Sequence, residues 1–468
     1  MAEGLSIAFQ GAARTVTGSR HRLRFGGHTW LFDCGLYQGH RDEAERVNRS
    51  FAFAPEALDA VVLSHAHLDH AGNLPTLVAR GFTGRVHCTA ATADLSTFML
   101  ADSAHLMERD VEHVNRHAHG RPARQPLYTP RDVAETVARF ERRGYHEPWE
   151  LFPEVRVEYF DAGHMLGSAL TTFEVRAGGR TVRLGMSGDL GRAGRPILRD
   201  PERHPAVDAL VLESTYGDRF HTPAVETERA LVEIVERTVA RGGRVLVPAF
   251  AVGRTQELVA TFHALCERGE VCDLPIFVDS PMAREATSVF VRHPECFDGA
   301  TRSAFMEGHG EPFGFARLRY VASPEESRAL NDRSGPCIII AASGMCEGGR
   351  ILHHLRHGLG DPKNTVVFVG FQAEGTLGRR LRDGAETVNI FGEPVRVGAE
   401  IAGLDGFSAH ADQRELVEWV TRLDPVPRRI FLVHGELAPA EVLAVVLRER
   451  TGADVRIPEK GEEFDLWN

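Results

Sequence analysis

The chain has 468 residues, more than one hydrophobic core fills, so two or three domains are expected. Apolar residues make up 43% and charged residues 25%, an ordinary globular composition, and no apolar run is long enough to span a bilayer. The formal net charge of −11 argues against a polynucleotide partner unless basic residues gather locally, as Arg14, Arg20, Arg22 and Arg24, or Arg379, Arg380 and Arg382, do in sequence.

The N-terminus has no basic stretch followed by an apolar one, so no signal peptide is read and the expected location is the cytoplasm. SIAFQGA, HRLRFGG and HTWLFDCG alternate and read as strands between Gly turns. DAVVLSH is an apolar run that ends in histidine, and HLDHAGNLPTLVARG has the spacing of one helix. Residues 92–120 read as a second helix. Its histidines 105, 113, 117 and 119 are read as a surface rather than a third metal site. PLYTPRDVAETVARFERR predicts a helix capped at Thr129-Pro130. VRVEYFDAGH, ALTTFEVRAGG and RTVRLGMSGDLG are strands. From about residue 217 to 402, helices alternate with the buried runs GRVLVPAF, LPIFVDSP, PCIIIAASGM and NTVVFVGFQ, the pattern of a parallel α/β sheet. The seven cysteines are widely spaced with no C-x-x-C pair, so neither a disulfide framework nor a cysteine zinc site is expected.

SHAHLDH packs His65, His67, Asp69 and His70 directly behind a strand. Imidazole nitrogen and carboxylate oxygen are natural zinc ligands, and four of them exceed what one open zinc site needs. The segment therefore suggests two metals, each completed from elsewhere in the chain.

H-x-H-x-D-H after a buried strand resembles the metallo-β-lactamase superfamily, whose αββα sandwich carries metals at one edge of two facing sheets. The resemblance implies that His65, His67 and His164 (in DAGHMLGS) hold one metal, that Asp69 and His70 hold the other, and that Asp189 (in MSGDLG) bridges them. Asp33, in FDCG, would support the metal loop from behind. LESTYGD with Glu213, DGFSAHAD with His410 and LVHGE with His434 resemble the further motifs of the β-CASP branch, as do PAFAVGRTQEL, ASGMCEGGR and GFQAEGTLGRRL. That branch consists of nucleases. The resemblance implies an α/β fold in three segments: residues 1–216 begin the lactamase-like domain, 217–402 are an inserted β-CASP domain, and 403–468 complete the first domain.

In RNA-acting members the last motif is a histidine that joins the second metal, so His434 points to RNA rather than DNA. The resemblance then implies two Zn2+ per chain and a zinc-dependent ribonuclease. The two zincs, roughly 3.5–4 Å apart, would activate a hydroxide against the phosphodiester and leave a 5′-phosphate. His410, charged by Glu213, would protonate the leaving oxygen, so Asp69, Glu213 and His410 are the catalytic candidates. Ser343, Thr376, Ser408 and Ala409 are candidates for holding phosphate, although Gly with Ser or Thr is also plain turn chemistry. Arg254 is either an RNA contact or a helix cap. A DNA-directed nuclease, a small ester or thioester hydrolase of the same fold and an inactive RNA-binding scaffold are the rival readings. Endonucleolytic and 5′-exonucleolytic modes, and a homodimer, stay open.

Overall fold

The computed structural model describes residues 4–39, 41–116, 123–271, 274–307, 313–370, 372–373 and 375–467; His117, His119 and Cys272 lie outside these. The described residues divide into two compact units. One comprises residues 1–193, 200–220 and 410–468, and the other comprises 194–199 and 221–409.

The first unit is built on two sheets of seven strands each. In the first sheet, Ser6–Gly11, Arg20–Phe25 and His28–Phe32 are antiparallel neighbours. Ala60–Val62, Arg85–Thr89 and Phe140–Arg143 then continue parallel to His28–Phe32. The second sheet starts as an antiparallel meander from Trp149–Phe152 to Arg180–Met186. It continues in parallel through Ala209–Glu213, Arg429–Val433 and Asp454–Arg456. The C-terminal strand Glu463–Asp465 returns to pair with Ser6–Gly11.

Strand residues alternate between two apolar layers. Phe9, Leu23 and Trp30 of one sheet meet Val157, Phe173, Leu184 and Phe431 of the other in a buried core. On the outer faces, Leu210, Leu212, Ile430 and Leu432 pack under Leu416 and Leu443 of the helices Gln413–Thr421 and Leu437–Thr451. Leu31, Val61 and Leu63 pack under Leu74 and Leu77 of the helix Leu74–Ala79. The result is helix, sheet, sheet, helix, with an α/β unit inserted.

Two local expectations differ. HLDHAGNLPTLVARG forms two short helices, Leu68–Ala71 and Leu74–Ala79, instead of one. Pro75 has no N–H to bond back into a preceding turn and is tolerated only in a first turn, so a new helix must begin there. The helix capped by Thr129 ends at Val137, and FERR becomes the strand Phe140–Arg143 beside Arg85–Thr89. Pairing with a sheet edge there overrides the local helical preference. The second unit holds a six-stranded parallel sheet in the order Leu318–Tyr320, Ile276–Asp279, Ile338–Ala341, Val245–Pro248, Thr365–Phe368 and Glu400–Gly403.

Candidate metal centre

The site of interest forms where strands running in one direction end. In the second sheet, Val155–Asp161, Arg180–Met186, Ala209–Glu213 and Arg429–Val433 run the same way and lead into His164, Asp189, Glu213 and His434. In the first sheet, His28–Phe32 and Ala60–Val62 run parallel and lead into Asp33 and His65. The carboxyl ends of such strands are where loops can project functional groups from a rigid base.

Donor atoms gather there in two groups joined by one carboxylate. His67 Nδ1 lies 3.2 Å from His65 Nε2 and 3.3 Å from His164 Nε2. Asp189 Oδ2 lies 3.4 Å from His65 Nε2 and 3.5 Å from His164 Nε2. In the second group, His434 Nε2 is 3.1 Å from His70 Nε2 and 3.4 Å from Asp69 Oδ2. Asp189 Oδ1 is 3.2 Å from His70 Nε2. Ligands 2.0–2.1 Å from a tetrahedral zinc stand about 3.3 Å apart. The donors thus have the spacing of two coordination shells that share Asp189.

The far side of the His70 and His65 rings is occupied, which selects the nitrogen turned inward, while His164 Nδ1 is buried with no hydrogen-bond partner among the described residues. His70 Nδ1 donates to Asp33 at 2.7 Å. His65 Nδ1 is 3.0 Å from Ser64 Oγ, which itself donates to Asp33 at 3.1 Å. Asp33 also accepts the Ser64 N–H at 2.8 Å and the Ser19 hydroxyl at 3.0 Å. His434 Nδ1 is 3.2 Å from Thr215 Oγ1 and 3.5 Å from Asp189 Oδ1. Asp33 and His434 both sit at positive φ, 62° and 49°, a conformation that non-glycine residues keep only where their surroundings impose it.

The charge environment suits ligation. Burial holds the His67 imidazole down to about 3 and His164 well below its ordinary value, so both rings are neutral at pH 7, the form that can bind a cation. Burial acts the same way on His70, but Asp189 and Asp33 outweigh it and raise that group.

Beside the second sheet's ligands, His410 Nδ1 lies 3.1 Å from both oxygens of Glu213, which is fully buried and accepts the Leu190 N–H at 2.6 Å. Burial opposes the imidazolium, yet Glu213 and Asp189 push His410 up to about 9. Two residues on, Asp412 and Glu415 form the capping box that fixes the start of the helix Gln413–Thr421.

The remaining candidates lie in the second unit. Ser343 Oγ accepts the Glu347 N–H at 3.1 Å, and Thr376 caps the helix Leu377–Arg382. Their two loops are tied by Gln372 Nε2 donating to Gly344 O at 3.0 Å and by the Leu377 N–H donating to Glu347 at 2.6 Å. Ser408 is buried and its N–H is donated to Asp405 O. Ala409 is half-buried beside it. Arg254 is buried and ion-pairs with Glu257, which also binds Arg195. His105 and His113 are exposed on the helix Ala90–Arg116 and belong to no donor group among the described residues. Sequence reasoning missed Ser19, Ser64 and Thr215. Ser64 and Thr215 stand inside the motifs SHAHLDH and LESTYGD, where their adjacency to ligands was the available signal.

Two facing sheets between helices, with a His/Asp cluster at their strand ends, define a metallo-hydrolase. The metallo-β-lactamase superfamily model matches residues 23–248, the Beta-Casp domain model 255–381, and the Zn-dependent metallo-hydrolase RNA specificity domain model 394–458. The chain is 41% identical over 453 residues to the ribonuclease TTHA0252 of Thermus thermophilus, covering 97% of this chain and 98% of that one. It is 35% identical to the transcription termination factor FttA of Thermococcus kodakarensis, over 87% of this chain and 62% of that one, and so spans under two thirds of that relative. A crystal structure of a protein of unknown function from Enterococcus faecalis V583 shares the fold, with a TM-score of 0.51 and 12% identity over 98% of this chain and 99% of that one. The chain belongs to the Beta-Casp branch of the metallo-β-lactamase superfamily and is a metal-dependent hydrolase of the nuclease class. No helix among the described residues is long and apolar enough to cross a membrane.

Proposed function

We propose that the chain is a zinc-dependent ribonuclease with two ions per chain, cutting RNA within the strand and leaving 5′-phosphates. The observation that carries this reading is Asp189, which offers one oxygen to each of two donor groups, with His434 completing the second. The RNA specificity match spans both His410 and His434, and the Thermus relative matched over nearly its whole length is a ribonuclease. We keep residues 217–402 as the inserted β-CASP domain and 403–468 as the return to the first.

His65, His67 and His164 would hold one zinc, Asp69, His70 and His434 the other, and Asp189 both. Zinc bound there supplies a nucleophile at neutral pH and positive charge against the phosphodiester. Asp33, itself held by Ser19, keeps the His70 ring turned inward directly and the His65 ring through Ser64. Glu213 binds His410 Nδ1, so the proton that reaches the leaving 3′-oxygen comes from Nε2. Ser408 and Ala409 precede His410 and would position the scissile phosphate. Ser343 and Thr376, on loops tied to each other, would hold phosphate.

The test is cleavage of 5′-labelled RNA and matched DNA by the zinc-loaded protein and by His410→Ala. RNA should be cut and DNA spared, with the variant slower by about 10²–10⁴ while keeping both ions. Equal cutting of DNA favours the DNA-directed reading. Undiminished cutting by the variant, or one zinc per chain, refutes the mechanism.

A further inference from the structure

The outer face of the first sheet carries positive charge that the fold does not neutralise. Arg20 opens the strand Arg20–Phe25 and is only 4% exposed. Its guanidinium lies 4.8 Å over the Phe51 ring, and its Nε and Nη1 have no hydrogen-bond partner among the described residues. Arginine is almost never buried without a partner, because its hydration is lost with nothing in return. The neighbouring row on the same face shows what a matched arrangement looks like. Arg22 and Glu463 both pair with Ala8 across the sheet, and their side chains form an ion pair of 3.3 Å. Towards the metal end, Arg20 stands opposite Gly11, and the chain that flanks the other side is the turn at Gly461, whose N–H donates to Phe9 O at 2.7 Å. That turn presents Lys460, so the row that could have held an acid holds a second cation.

Lys460 has no ion-pair partner among the described residues and is exposed. Its ammonium is held below its ordinary value by partial burial, Arg20 and Arg46, with Glu43 acting in the opposite direction. Lys460 also lines a concavity of about 600 Å³ together with Arg14, Arg448, Arg456, Glu459 and Glu462. Arg14 binds Glu459 at 2.7 Å, and Arg448 donates to Val455 O at 2.6 Å. Arg456 binds Asp454 at 2.7 Å, so Lys460 and Arg448 are the cations of this concavity with no carboxylate partner among the described residues. The patch borders the metal loop: Arg20 follows Ser19, which bonds Asp33.

We propose that Arg20 and Lys460, extended by Arg46, Arg14 and Arg448, form a phosphate track on this outer face, which holds the backbone of the RNA strand beyond the metal centre. The track rests on the ribonuclease reading and adds to it a place where the strand lies. A phosphodiester reaches Arg20 at Nη2, the guanidinium nitrogen that is not shut off from solvent, and a strand, unlike a single ion, reaches both Arg20 and the concavity.

The test uses the zinc-loaded full chain and measures KM for RNA against salt, with Lys460→Ala, Arg20→Met and, as a control, Arg24→Ala, whose side chain is half exposed and already paired with Glu463. Removing one single-strand phosphate contact lowers the slope of log K against log salt by about 0.7, which at about 0.1 M salt is about fivefold in KM. K460A should show this on long RNA, with the rise in KM shrinking as the RNA is shortened. R20M should show it too, and should raise Tm, because it removes a buried unpaired charge. R24A should match wild type in KM and slope. A wild-type KM and slope in K460A overturns the track whatever R20M does, while RNA cleavage by the wild type leaves the ribonuclease reading standing. A lowered Tm in R20M with unchanged KM makes Arg20 structural and also overturns it. If the wild type cuts no RNA, the reading and the track fall together.

Discussion

Gly35→Ala should cost the protein one of the two proposed metal-binding groups while leaving it folded. A Cβ at Gly35 would stand 1.6 Å from the carbonyl oxygen of Asp69 and 2.7 Å from the His70 nitrogen, where ordinary contact begins at 3.4 Å. That backbone cannot yield easily. Asp69 O accepts the Ser19 N–H at 2.8 Å, the Gly35 N–H is bonded to Ser19 O, and the Cys34 N–H is bonded to His70 O. The Asp69 peptide must therefore move by roughly 1.5–2 Å, since packed interiors do not absorb such overlap. Metal–ligand distances tolerate about 0.2 Å, so Asp69 and His70 would leave the shell that they share with His434. Overpacking of this kind costs about 1–3 kcal/mol, which a two-unit chain survives. Metal analysis should give one zinc per chain instead of two. The rate of RNA cleavage should fall by at least about 10²-fold, the usual consequence of a 1 Å misplacement. Gly299→Ala is the control, because a Cβ there meets nothing within 4 Å. If G35A keeps two ions and the wild-type rate, the close approach does not position the ligands and the reasoning fails.

Gly191→Ala is the mirror experiment: its Cβ would stand 1.9 Å from Gly163 O and 2.5 Å from the His164 nitrogen, so the other ion should be the one lost, read by the same metal analysis. Asp33→Ala removes the acceptor of four donors, His70, the Ser64 N–H and hydroxyl, and Ser19. It should lower zinc affinity about 10–100-fold in competition with a chelator, and unchanged affinity would show that the rings hold themselves. His434→Ala should leave one ion per chain, and retention of two would place the second ion elsewhere. His204, buried against Trp419, is held down to about 3 by burial, from an ordinary 6.5. The unfolded chain takes up this proton below pH 6.5 and the folded chain does not, so stability is lost as pH falls from 6.5 towards 3. His204→Gln should shrink the stability difference between pH 7 and pH 5 in urea melts by about 2 kcal/mol, and an unchanged difference would mean that His204 charges in the fold.

The donor cluster of SHAHLDH was legible because its residues are neighbours in sequence. His65, His67, Asp69 and His70 must cluster wherever the strand before them goes. His164, Asp189 and His434 were not legible in that way. Nothing local ties them to His65, and only the order of motifs along the chain pointed to them. What joins them is that four strands of one sheet run in one direction and stop at the same edge, a property of the sheet and not of any segment. The break at Pro75 was readable but was outweighed by the apolar spacing on both sides. The strand Phe140–Arg143 was not readable, because its partner Arg85–Thr89 lies more than fifty residues away. Gly35 and Gly191 carry no signal at all in one sequence, since their role depends on which backbone passes within 2 Å of where a side chain would be.

The net charge of −11 was the strongest sequence argument against a polynucleotide, and its weight depends on where the charges lie. Asp33, Asp69, Asp189 and Glu213 are all buried or half-buried at the cluster, where two divalent ions would cancel them. Many of the remaining carboxylates are tied to arginines over short distances, as in Arg237 and Arg241 with Glu400, or Arg192 with Glu415. A paired carboxylate contributes little field beyond a Debye length of about 10 Å. What an approaching phosphate meets is then set by the unmatched groups, and Lys460 is unmatched, exposed and positive, with the largely buried Arg20 adding its charge beside it. An acidic protein can hold an anionic strand on such a face, provided that the affinity is steeply salt-dependent. A KM that barely moves between low and moderate salt would therefore count against RNA as the natural load of this surface, independently of any substitution.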